Sequence, residues 1–141
     1  MQHRETPFGH VLVLDRGGEL IRSLIEFARH HEVESAALYG IGAVDRLELG
    51  FYQLAEQDYE RRIFVESLEA CALVGNLSLL DGEPIPHIHG TFGRADFSTV
   101  GGHVFEAVCS ITLEISVHVV PQPLHRGPVD FCNLPLLKLE S

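Results

Sequence analysis

Apolar and polar positions follow two periods in this chain, and the change falls just after residue 31. Over about 19–31, Leu20, Ile21, Leu24, Ile25 and Ala28 recur at the spacing of one helix face, while Glu19, Arg22, Glu26 and Arg29 point outward. An acid at the start and Arg29, His30 and His31 at the end suit the helix dipole. This is the main helix the pattern predicts. Residues 9–14 (GHVLVL) precede it as a strand, closed by Gly17 and Gly18. Beyond the helix the period is two. Strands are predicted at 34–44, 46–54, 59–65 and 67–80, the last ending on the turn dipeptide Asp81-Gly82. A further strand begins at Pro86, and a long one spans 103–120. In the long strand Phe105, Ala107, Cys109, Ile111, Leu113, Ile115 and Val117 share a face. The tail is broken by Pro121, Pro123, Pro128 and Pro135 before an apolar LPLLKL. One helix and about seven strands joined by short turns predict an α+β domain on a curved antiparallel sheet, with residues 1–141 forming a single domain.

Composition narrows this picture modestly. A chain of 141 residues, 45% hydrophobic and 21% charged, is long enough for a proper core. No apolar run reaches the roughly 18 residues of a spanning helix, and the N-terminal residues show no signal-peptide h-region, so the expected location is the cytoplasm. The three cysteines are widely spaced, and Cys71 and Cys109 fall in apolar strand-like runs as expected buried thiols. Net charge changes more. At −10, with no Lys/Arg cluster to offset it, the surface repels phosphate backbones, which argues against direct nucleic-acid binding.

The candidate chemistry lies in residues 86–103, PHIHGTFGRADFSTVGGH. Alternation on a strand puts His87 and His89 on one face, with Ile88, Gly90 and Phe92 on the other. If residues 86–93 and the strand beginning at His103 form a hairpin turning near Asp96, His89 and His103 stand opposite each other. Their Cβ atoms are then roughly 5 Å apart. A bulge at the glycine pair would change that register. Three imidazoles able to converge on one ion make a metal site with an open fourth position. Zinc is the first expectation, with copper, nickel and iron also suited to imidazole.

A catalytic role would need an acid or base beside the metal. Glu69 and Glu114 are the candidate catalytic carboxylates, because each interrupts an otherwise apolar strand. Either could instead hold a histidine N–H, or simply pair with Arg46, Arg61, Arg62 or Arg94. Glu114 has the parity opposite to His103, so without a bulge it faces away. Gly40-x-Gly42 lacks the third glycine and the following helix of a dinucleotide fingerprint, and predicts tight turning or close backbone approach. Asn76 after Gly75 reads as a bulge or turn at a strand end. His10, His30, His31, His118 and His125 lack ligand spacing and are expected at the surface.

The helix followed by SAALYGIGAVDRLELGFY, then FVESLEACALVGNLSLLDGEPIPHIHGTFGRADFSTVGGHV and a strand closing on TLEI, resembles the PPC (plants and prokaryotes conserved) domain. The likeness runs from about residue 9 to 139. It implies an α+β fold on a central antiparallel sheet and a homotrimer. In the prokaryotic stand-alone members the H-x-H and G-G-H positions, here His87, His89 and His103, look like a metal site with zinc as the usual proposal. Plant members lack these histidines and carry an AT-hook, an R-G-R-P core that is missing from this sequence. The resemblance leaves two functional classes open. One is a metal-dependent enzyme or small-molecule binder. The other is a regulatory, scaffolding or DNA-associated protein whose metal is structural.

Overall fold

The computed structural model describes residues 1–139. In chain order the elements are β1 (Gln2–Thr6), β2 (Gly9–Asp15), α1 (Leu20–His30), β3 (Ala36–Gln53), β4 (Asp58–Phe64), β5 (Leu68–Leu80), β6 (Glu83–Gly93), β7 (Thr99–Val119), β8 (His125–Val129) and β9 (Cys132–Lys138). The α+β class and the curved sheet are as expected, but among the described residues the sheet has nine strands, not seven. The extra strands are β1 and the β8–β9 hairpin. The four tail prolines argue against a strand in a sheet interior. Here Pro128 and Pro135 sit in β8 and β9, at the end of the strand order. The segments predicted at 34–44 and 46–54 are one 18-residue strand.

Helix α1 forms where the period-3.6 pattern places it, and Glu19 starts it as the cap. Its carboxylate accepts from the backbone N–H of Ile21 at 3.0 Å and of Arg22 at 2.7 Å, satisfying donors that the first turn cannot pair internally. The same carboxylate accepts from Ala107 N–H at 3.2 Å, which ties the helix start to β7. Leu20, Leu24, Phe27 and Ala28 turn inward to meet Leu12 and Leu14 of β2, Val44 and Leu47 of β3, and Ala107, Leu113 and Ile115 of β7. Each such large side chain taken from water contributes about 1.5–3 kcal/mol.

The sheet order is β1-β2-β7-β3-β5-β8-β9, with β4 on β3. Strand β6 pairs with both β5 and β7, so β3, β5, β6 and β7 close on one another in a ring. All pairings are antiparallel except the bridge of Leu79 to His125 between β5 and β8. Closure demands sharp local curvature, supplied by bulges. One lies opposite Gly42–Val44 and displaces β7 between Cys109 and Leu113; Ile111, expected on the inner face, is 72% exposed there. Another, opposite Glu48–Leu49, sets Phe105 on the outer face. A third, between Ala70 and Ala72, turns Cys71 outward, so only Cys109 of the two expected buried thiols is buried. Gly42 has φ +147°, and a Cβ there would stand 2.1 Å from the Thr112 carbonyl oxygen, which is the close approach its position predicted. The turn at Asp81-Gly82 uses two left-handed residues, φ 52° and 83°, as a two-residue hairpin requires. Among the described residues no helix is long and apolar enough to cross a membrane.

Candidate metal centre

Strand β6 carries Pro84 and Pro86, residues that sheet interiors exclude. They are accommodated because β7 pairs β6 only over His89–Gly93, leaving residues 83–88 bonded on one side alone. The hairpin to β7 turns at 94–98, where Phe97 takes φ 65° and the Asp96 carboxylate accepts from Ser98 N–H at 2.9 Å. That fixes the register. His89 pairs directly with His103, as the hairpin predicted, and the bulge that threatened this pairing falls after it, at Phe105.

On the other side, β5 places Asn76 opposite His87 and Val74 opposite His89. Asn76 is therefore inside a strand, not at its end. Gly75 between them is required by contact: a Cβ there would lie 2.0 Å from the carbonyl oxygen of His87. Ile88 is buried at 2% exposure, so its neighbours His87 and His89 project from the outer face of the sheet.

The three rings converge. Centroids are 5.2 Å apart for His87 and His89, 5.1 Å for His87 and His103, and 5.5 Å for His89 and His103. One ligand nitrogen from each lies within 4.8 Å of the others. Nitrogens on a tetrahedral zinc stand about 3.4 Å apart, so closing on an ion needs only small side-chain rotations. His103 Nδ1 is buried without a hydrogen-bond partner, an orphan that an ion would satisfy. Burial is the first cause holding His87 and His103 down at about 4; Arg126 and His89 add to it at His87, and the other two histidines, Arg61 and Arg126 at His103. Both rings are thus neutral at physiological pH, the state a metal ligand needs.

The surroundings come from segments no spacing rule connects to the histidines. Arg126 of β8 donates through Nη2 to His87 Nδ1 at 3.1 Å and to Asn76 Oδ1 at 2.9 Å. Its Nε donates to Ser78 Oγ at 2.8 Å, and Nη1 to the Pro135 carbonyl at 3.2 Å. Phe105 and Tyr59 pack on His103 at 4.6 and 5.2 Å, with the Arg61 guanidinium 3.5 Å over the Phe105 ring. A cavity of about 200 Å³ opens beside His87 and His103, walled by Ile85, Phe105, Leu134, Leu136 and Arg126. Sequence reasoning missed Arg126, Tyr59 and the whole β8–β9 wall.

The structure does not bring Glu69 or Glu114 to the histidines. Glu69 is exposed, opposite Gly93 and five residues along β5 from Val74, or about 16 Å at the rise of a strand. Glu114 is exposed opposite Ile41, with β3 and β5 lying between it and β6, about 14 Å across the sheet. Neither takes the arginine partners considered for it. Arg46 pairs with Glu106, Arg61 with Glu48, Arg62 with Glu60 and Arg94 with Glu66. His118 and His125 are exposed, as expected. His10 and His31 are half-buried instead, and with His3 they gather around Phe27.

No curated protein matches the sequence. Among solved structures, a protein of Ralstonia eutropha JMP134 named as a candidate DNA-binding protein aligns over 98% of this chain and 96% of its own, with 28% identity and TM-score 0.92. A metal-containing protein of Archaeoglobus fulgidus aligns over 92% of this chain and 91% of its own, with 29% identity and TM-score 0.84. A plant- and prokaryote-conserved protein of Pyrococcus horikoshii covers 93% and 91%, with 25% identity and TM-score 0.84. Residues 1–121 match the Plants and Prokaryotes Conserved (PCC) domain, the same family the histidine motifs and strand pattern resemble. The chain belongs to the Plants and Prokaryotes Conserved domain family.

Proposed function

We propose that His87, His89 and His103 hold one divalent transition metal ion per chain, with zinc the first choice, and that the open coordination position beside the cavity receives a small molecule. The convergence of three imidazoles, with one ligand nitrogen of each within 4.8 Å of the others, carries this reading. The metal-containing Archaeoglobus fulgidus relative supports it. When bound, such an ion supplies Lewis acidity and lowers the pKa of a coordinated water. The chain's own part is to fix the three rings by strand register and to hold two of them unprotonated by burial. It also keeps apolar walls on one side of the site. Elemental analysis of purified protein tests the reading: one zinc-like ion per chain is expected, and none supports its rejection.

The same reading includes a homotrimer. Val11, Tyr39, Ile41 and Val74 form an exposed apolar band across β2, β3 and β5, at 39, 50, 55 and 52% exposure. Exposed apolar residues gathered on one face, here flanking Ser116 of β7, suit an interface. Val74 pairs with His89, so a neighbouring copy seated on the band would adjoin the histidines. Light scattering on the eluting protein checks the mass.

A second reading, in which the metal is structural and the protein is regulatory or DNA-associated, draws on the name of the Ralstonia eutropha relative. The charge of −10 opposes direct contact with DNA. A gel-shift assay with duplex DNA at low salt separates the two, and no shift is expected.

A further inference from the structure

Arg126 is where the candidate centre and the cavity meet. Its guanidinium has no lone pair and can only donate, so His87 Nδ1 must accept in the 3.1 Å contact. The single proton of the neutral ring then sits on Nε2, and both ring nitrogens are committed. Coordination through Nδ1 would take the lone pair that Arg126 now uses. Coordination through Nε2 would move the ring proton to Nδ1, where it would face another donor. By either route an Nη2 N–H is released at the cavity wall. Arg126 has a further N–H in reserve: it has five, and four find partners among the described residues, at Ser78, Pro135, Asn76 and His87.

Nothing near the centre answers that charge. Among the described residues that wall the cavity or contact the three rings, Arg126 carries the only fixed charge and none is a carboxylate. Arg61 already has its own partner in Glu48 at 3.2 Å. A divalent ion on three neutral rings next to a half-buried guanidinium leaves positive charge with no counter-charge from the described residues, a costly arrangement. A ligand in the open coordination position can bring the missing negative charge. Apart from the histidines, Arg126 and the Tyr59 phenol, the cavity is walled by apolar side chains such as Ile85, Phe105, Leu134 and Leu136, and about 200 Å³ admits only a small body.

We infer that the molecule completing the centre is a small organic carboxylate, its charge met by Arg126 beside the ion and its apolar body held against the β8–β9 hairpin; this rests on the metal assignment proposed above. A planar fork suits a carboxylate in particular. Arg126 is thereby a specificity-determining residue for that ligand.

Calorimetric titration of the zinc-loaded protein with isovalerate, with the uncharged isovaleramide of the same shape and with inorganic phosphate tests this. Isovalerate is expected to bind at least about ten-fold more tightly than the amide, as a charge-assisted hydrogen bond implies. Arg126→Gln is expected to remove that preference while zinc content, measured in parallel, stays at one per chain. Equal binding of acid and amide in the unmutated protein overturns the inference, whether or not the variant folds. Tighter binding of phosphate, or a preference that survives Arg126→Gln in a variant with native circular dichroism, also overturns it. Zinc bound without acid preference defeats this inference alone; an unmutated protein that takes up no zinc defeats the metal assignment with it.

Discussion

Two histidine clusters sit in this molecule, and they differ in what assembles them. His87, His89 and His103 are held by backbone pairing: two alternate positions on β6 and a directly opposed position on β7. His3, His10 and His31 come from β1, β2 and the helix C-cap, and are gathered by packing on Phe27. The second cluster is just as dense. Its ring centroids lie 4.4 Å apart for His3 and His31, 5.5 Å for His10 and His31 and 6.2 Å for His3 and His10. Yet among the described residues only the first cluster brings a ligand nitrogen from each of three rings within 4.8 Å. Packing against an aromatic ring covers the faces and edges of imidazoles without aiming their nitrogens at a common point. Strand register aims side chains, because it fixes Cα positions and Cβ directions together. Density of histidine is therefore a poor guide to a metal site; shared direction is the better one.

The sharpest break of this comparison is metal content. The double substitution His87→Ala, His89→Ala should take bound zinc from one per chain to none by elemental analysis. His10→Ala, His31→Ala should leave it at one. If zinc follows the second pair, the distinction drawn between aimed and packed imidazoles is wrong.

A glycine tests the register itself. Gly75→Ala drives a Cβ into the His87 carbonyl, which stands 2.0 Å from that position. Forcing β5 and β6 apart should cost about 1–3 kcal/mol in urea unfolding, the range for an overpacked site. It should also weaken zinc uptake, since the strand that carries two of the rings must shift.

The protonation behaviour gives a gentler test, on metal-free protein. His87 and His103 are held at about 4 in the fold, against an ordinary value of 6.5. Between those values the unfolded chain binds protons that the native state refuses. Stability from these rings is therefore complete above pH 6.5 and is lost as pH falls toward 4. Urea midpoints should be level from pH 8 to 7 and fall between pH 6.5 and 4.5. His87→Gln with His103→Gln should flatten that fall. His31, also lowered and chiefly by burial, should contribute less because it is nearer the surface.

The smallest effects are expected at the carboxylates. Glu69→Gln and Glu114→Gln should leave zinc content unchanged and stability within about 0.5 kcal/mol, as for exposed carboxylates with no side-chain partner among the described residues. A loss of zinc in either variant would place that carboxylate nearer the rings than the strand register allows.

The sequence by itself determined the helix, its acidic start, most of the strands and the directed trio. All of these rest on short-range periodicity: His87 and His89 share a face because they are two apart, and the hairpin to His103 needs only a local turn. Tertiary structure decided the rest. Bulges, set by how β3, β5, β6 and β7 close on one another, separated His103 and Phe105 from the inward face of Ala107 and Cys109 and turned Ile111 and Cys71 outward. Arg126 reached His87 from 39 residues away, on a hairpin whose prolines disguised it. Local pattern reports which way a side chain points along its own strand. Which strand lies alongside, and therefore what wall and what charge face the histidines, depends on closure of the whole sheet, and no window of neighbouring residues contains that information.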